Sequence, residues 1–100
     1  MQSVADSIRC LVEKQQRYMS VEVGWQRFLH YLEARNGADL QEPHRGEIAA
    51  ILEYIDDVIE DGDGGGPASH APDLEAFGRC DDVCAAFEKF RAHEQLPPCP

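Results

Sequence analysis

The sequence predicts an all-α protein, a compact bundle of four amphipathic helices, on three observations. Four segments repeat apolar residues at helical spacing, and no stretch alternates apolar and polar residues for the length of a useful strand. The composition leans the same way, with eleven alanines and seven leucines but no threonine and one asparagine among 100 residues. A chain of this size supports one core, so residues 1–100 read as a single domain, and no internal repeat divides it.

The first helix is expected from Ser3 to Tyr18. Val4, Ile8, Leu11, Val12, Gln15, Tyr18 and Met19 share one face, with Arg9, Glu13, Gln16 and Arg17 opposite. Ser3 is its N-cap and Asp6 sits in the first turn, at the positive end of the helix dipole. Ser20 caps a second helix from Val21 to Arg35, closed by Asn36-Gly37, residue types that tolerate the left-handed turn ending many helices. Val21, Trp25, Phe28, Leu29 and Leu32 make its apolar face. Gly24, inside that helix, costs up to about 1 kcal/mol against alanine, which predicts close packing or a kink there.

The third helix starts near Pro43, which suits a first turn because its missing N–H has no helical acceptor to lose. It ends near Glu60 and buries Ile48, Ile51, Leu52, Ile55 and Ile59. Residues 61–72, DGDGGGPASHAP, cannot hold a helix and read as a flexible glycine-rich loop. A fourth helix follows from Asp73 to His93 with Phe77, Cys80, Val83, Cys84, Phe87 and Phe90 on one face. Leu74 is out of phase, so a break is expected near Gly78. An extended tail, 95–100, closes the chain.

Charge bounds the function. Nineteen acidic against nine basic residues give a formal net charge of −10, so this surface repels the phosphates of nucleic acids and anionic membranes. No run is apolar enough to span a bilayer. The opening MQSVADSIRC lacks the pattern of a secretory signal, which predicts a cytoplasmic protein whose four cysteines are reduced. Ten acids fall between Glu53 and Asp82: Glu53, Asp56, Asp57, Glu60, Asp61, Asp63, Asp73, Glu75, Asp81 and Asp82. Only Arg79 opposes them, so thirty residues carry a net charge of −9 and the other seventy almost none. On adjacent elements of a helical hairpin these acids would form one ridge, complementary to a basic cleft and able to steer association. Tyr54 and Arg79 are the residues beside them with hot-spot chemistry.

Other chemistry is weaker. Cys80, Cys84, His93 and Cys99 are zinc-ligand types, but the first two lie one turn apart on an apolar face and His93 projects away from it. They read as core thiols, and no metal or cofactor is expected. The loop fails as a calcium site because positions five and twelve counted from Asp61 are Gly65 and Pro72. Ser69 and His70 are sequence neighbours and do not align as nucleophile and base. Cys10, beside Arg9, is the one candidate exposed thiol, without an oxyanion hole or a partner histidine to complete an enzyme site.

The segments YMSVEVGWQRFLHYLEARNG (18–37) and EIAAILEYIDDVI (47–59) resemble the bacteriocin immunity proteins of the colicin D type. They are similar also to the small helical immunity proteins of contact-dependent growth inhibition. The resemblance covers about 40 residues of helix pattern. It implies a small cytoplasmic protein that is not an enzyme and that neutralises a toxin nuclease, often one cutting tRNA, as a monomer in a heterodimer. Asp56, Asp57 and Glu60 match the acidic end of the family's helix. The loop and the CDDVC segment have no counterpart there. The alternatives are a phage-encoded inhibitor that mimics nucleic acid, of the anti-CRISPR kind, and a metal-binding regulatory module built on Cys80, Cys84 and Cys99.

Overall fold

The computed structural model describes residues 3–61 and 72–98. Five helices are found in them and no strand: α1 Val4–Glu13, α2 Val21–Ala34, α3 His44–Asp61, α4 Leu74–Phe77 and α5 Asp81–Glu94. The four-helix expectation changes at one place, because the segment read as a single fourth helix is two. Most of the glycine-rich loop lies outside the described residues.

Local sequence accounts for most of the ends. Ser3 and Ser20 each accept a hydrogen bond from the backbone N–H three residues on, at Asp6 and Val23, both at 3.2 Å. Helix α2 ends with Asn36 and Gly37 both at positive φ, 57° and 66°. The Gly37 N–H reaches the Leu32 carbonyl at 2.9 Å and the Asn36 N–H reaches that of Glu33, which satisfies two carbonyls that the helix leaves open. Helix α1 is shorter than its apolar period predicts. Gln16 turns the chain at φ 51°, and the Arg17 N–H bonds back to Leu11 O at 2.8 Å. Met19, expected on the core face, is therefore 89% exposed. The tail also differs in part, since Gln95 ends α5 at φ 54° and Leu96 folds back into the core.

Helix α2 is the centre of the molecule, packed on α1, α3 and α5. Trp25, Phe28, Leu29 and Leu32 are fully covered. Phe28 meets Phe87 edge-on at 5.1 Å and Phe90 at 5.4 Å, while Trp25 lies 6.2 Å from Phe77. Gly24 lets α1 come close: a Cβ there would stand 2.5 Å from Ile8 Cγ2. The glycine is a packing requirement, as its position inside a helix predicts. The loop between α2 and α3 is clamped by Arg45, which donates to the Gly37 and Leu40 carbonyls, and by Asp39, which accepts from Arg35 and from Lys89 of α5. The radius of gyration, 12.8 Å, matches the ~13 Å of a folded domain this long.

Candidate functional site

The break between α4 and α5 creates the most specific polar arrangement among the described residues. Gly78 ends α4, and Cys80 becomes the N-cap of α5 without its side chain capping any N–H. His44, the first residue of α3, lies opposite. Its Nε2 is 3.3 Å from Cys80 Sγ, and its Nδ1 is 2.8 Å and 3.0 Å from the two carboxylate oxygens of Asp82. A thiol, an imidazole and a carboxylate thus stand in line, on a groove of about 340 Å³ whose lining also includes Glu47, Ile51, Asp73 and Phe77. Asp82 accepts the Gln41 N–H at 2.9 Å as well.

The electrostatics of the three groups differ. Burial pushes the Asp82 carboxyl up, but hydrogen bonds from Gln41 and His44 outweigh it and hold the acid below its ordinary value. Asp82 is therefore ionised, and its contact with His44 Nδ1 turns the other ring nitrogen, Nε2, toward the sulfur. Burial and the charge of Asp82 push the Cys80 thiol above its ordinary value, with smaller contributions from Glu47 and Asp81. The Cys80 sulfur lies between His44 Nε2 at 3.3 Å and the Ala76 carbonyl, to which it donates, at 3.4 Å.

Among the described residues the acids of the expected ridge fall in two groups, one along α3 and one at the α4–α5 corner. Helix α3 packs chiefly on α2 and α4 on α1, and the first half of α3 meets the α4–α5 corner across the groove. Asp82 meets His44 at the start of α3. Asp57 lies thirteen residues further along that helix, about 20 Å away at 1.5 Å per residue. Glu53, Asp57 and Glu60 are exposed along the outer stripe of α3 and form no ion pair with the described residues. Asp56 is half-buried and accepts from Gln26 Nε2 at 2.7 Å, and Tyr54 packs against the core. At the other end Glu75 is taken by Arg9 at 2.7 Å and by Arg79 at 3.7 Å, and Asp73 caps α4 through the Ala76 N–H. Asp81 stays exposed without an ion pair. Asp61 ends α3, its side chain is outside the described set, and Asp63 lies outside it altogether.

Of the zinc-ligand types noted in the sequence, Cys99 lies outside the described residues, and Cys80, Cys84 and His93 are not gathered. His93 is thirteen residues from Cys80 on the same side of the chain break, about 20 Å along α5, and packs on the Tyr31 ring at 5.2 Å. Cys84 donates to the Gly78 carbonyl at 3.2 Å. Cys80 and Cys84 are free thiols, half-buried rather than fully in the core. Cys10, expected to be a reduced and exposed thiol, is half-buried and disulfide-bonded, its partner lying outside the described residues. No helix among the described residues is long and apolar enough to cross a membrane.

His44 is the residue that sequence reading misses. It sits 36 residues from Cys80, with no local spacing to connect them, and only the docking of the start of α3 on the α4–α5 corner brings them together. Asp82 is read from sequence as one solvated acid among ten and proves to be the best-bonded of them. Compared with known proteins, the chain matches no family model, no curated protein and no solved structure.

Proposed function

We propose that the protein neutralises a basic partner, in the first instance a toxin nuclease domain, by laying the outer stripe of α3 in its phosphate-binding cleft. The observation that supports this reading is the cost of that stripe to the fold. From Glu47 to Asp61 the helix holds no basic residue, and its acids crowd toward the C-terminus. Helix dipoles disfavour anions there by roughly 0.3–1 kcal/mol in the last turn, and like charges one turn apart repel. Glu75 and Asp82 have cations or donors beside them, whereas Glu53, Asp57 and Glu60 have none. A surface that lowers stability and lacks counter-ions suits a partner that supplies them, as nuclease clefts do with Lys and Arg.

The resemblance of residues 18–37 and 47–59 to toxin-immunity proteins supports the same class of partner and the expectation of a one-to-one heterodimer. Interface charge reversal tests it. Glu53→Lys, Asp57→Lys and Glu60→Lys together should abolish protection against the cognate nuclease toxin, with helicity retained. Binding of the unmodified protein should slow steeply as salt rises. Protection that survives the triple reversal at high toxin dose removes α3 from the interface.

A further inference from the structure

Beside the acidic stripe the described residues carry a groove of about 770 Å³ on the outer face of α2, the buried Tyr18 hydroxyl, and the corner where His44, Cys80 and Asp82 meet. Only the last brings together groups with complementary chemical roles. We propose that Cys80, His44 and Asp82 form a nucleophilic thiol site that accepts an acyl group from a small, uncharged or cationic ester.

The geometry assigns each role. His44 Nε2, 3.3 Å from Cys80 Sγ, is within reach to take the thiol proton as sulfur attacks. Asp82, 2.8 Å from Nδ1, orients the ring and stabilises the imidazolium that forms. The Cys80 side chain caps no N–H; the Val83 N–H is taken by Asp82 Oδ1 at 3.0 Å, and those of Asp81 and Asp82 have no acceptor among the described residues. They point from the positive end of a 14-residue helix, where an oxyanion is stabilised. The groove lining supplies the selectivity. Ile51, Phe77, Ala50 and Ala76 offer an apolar wall, while Glu47 and Asp73 repel an anionic acyl group.

The reaction balances with water alone. The Cys80 proton moves to His44 Nε2 as the S–C bond forms at the carbonyl carbon, whose π pair moves to oxygen. Collapse of that adduct breaks the C–O bond, and the departing alcohol takes the proton from Nε2, leaving a thioester on Cys80. Water then attacks the thioester carbonyl, giving its proton to Nε2. The C–S bond breaks, the acid leaves, and sulfur regains its proton. With the thiol neutral at rest, this is general-base chemistry and needs no preformed thiolate.

The same three side chains are types that could hold a cation. His44, however, spends Nδ1 on Asp82 and Nε2 on Cys80. That leaves a metal two ligands at most from this trio, where zinc sites use three or four.

Cys84 provides an internal reference, since it is also free, half-buried and raised in pKa chiefly by burial, but lacks an imidazole at its sulfur. In the intact protein near neutral pH, iodoacetamide should label Cys80 at least about tenfold faster than Cys84, by peptide mass mapping. p-Nitrophenyl acetate should leave an acetyl group on the Cys80 peptide and release more than one equivalent of nitrophenol. His44→Gln should bring labelling of Cys80 down to the Cys84 rate, and Asp82→Asn should slow ester turnover about tenfold or more while a matched circular dichroism spectrum reports an intact fold. Equal labelling of the two cysteines in the unmodified protein, no acetyl adduct on Cys80, or stoichiometric zinc held by the purified chain would each overturn the assignment. None of these outcomes bears on the acidic stripe, whose acids lie about 14–24 Å along α3 from His44.

Discussion

Asp57→Lys should make the free protein more stable. Asp57 is exposed on α3, four residues after Glu53 and three before Glu60, spacings at which helical side chains are neighbours. Both pairs are like-charged and each destabilises by roughly 0.2–0.5 kcal/mol, whereas opposite charges at those spacings stabilise by a similar amount. Reversal swings the two pairs together by about 1–2 kcal/mol, with Glu53 ahead of the new lysine in the better orientation. A cation nearer the helix C-terminus acts in the same direction. Domains of this length shift their Tm by roughly 4–8 °C per kcal/mol, so the variant should melt about 4–16 °C higher at low ionic strength. The gain should shrink near ~1 M salt, where charges are screened beyond about 3 Å. Thermal denaturation followed by circular dichroism at both salt concentrations reads both effects. A low-salt Tm that is unchanged or lower would refute the argument that the stripe is uncompensated repulsion. A rise in Tm combined with lost toxin protection would separate binding from folding in one variant.

Gly24→Ala should cost about 1–3 kcal/mol in urea denaturation despite alanine's higher helix propensity, because the new methyl meets Ile8 Cγ2 at 2.5 Å and Tyr18 Cδ2 at 3.4 Å. A neutral or stabilising result would mean that α1 can move away from α2. Tyr18→Phe should hold or raise stability by up to about 1 kcal/mol, since the buried hydroxyl has no partner of good geometry among the described residues; a comparable loss would mean that the nearby Arg17 serves as one. Acid should weaken the fold through Asp39. Its side chain is 5% exposed, and the Arg35 guanidinium and then the Lys89 ammonium hold its carboxyl below the ordinary 3.8. A depressed folded-state value gives stability that is present above the unfolded value and lost as pH falls through the folded one. The urea midpoint should therefore drop between about pH 5 and pH 3, and Asp39→Asn should flatten that slope, leaving the parts due to Asp82 and the exposed Asp6. An unchanged slope in the variant would remove Asp39 from the acid response.

The helices were legible because their signals are local. Ser3 and Ser20 cap as hydroxyls before apolar periods should, Asn36-Gly37 turns the chain as their left-handed tolerance predicts, and Gly24 marks a close helix crossing. The core stripe of α2 follows directly from the spacing of Trp25, Phe28, Leu29 and Leu32. What failed was also physical. Periodicity carried α1 on to Tyr18, but a single left-handed residue, Gln16, ends it, and glutamine is no signal for that conformation. The break at Gly78 was visible in the phase of Leu74, yet its result was not, because a broken helix sends Cys80 and Asp82 wherever the next contact directs them. Counting charge by sequence position also overstated the ridge: neighbours in sequence diverge in space once α3 chooses α2 and α4 chooses α1. Pairings such as Arg9 with Glu75 and His44 with Asp82 join residues 66 and 38 positions apart, which no window along the chain can report.

The Gly78 carbonyl accepts the Val4 N–H at 2.9 Å and the Cys84 thiol at 3.2 Å, while a Cβ at Gly78 would meet Ala5 N at 3.1 Å and the Trp25 ring at 3.3 Å. One peptide group thus latches the first turn of α1, the central helix and the start of α5. Fluctuations that release α1 must break that latch, so they loosen the corner holding Cys80 against His44 in the same event. Hydrogen exchange at the Val4 amide then becomes a clock for the thiol corner: solution conditions that speed its exchange should disorder the sulfur–imidazole contact in step, well before the molecule unfolds as a whole.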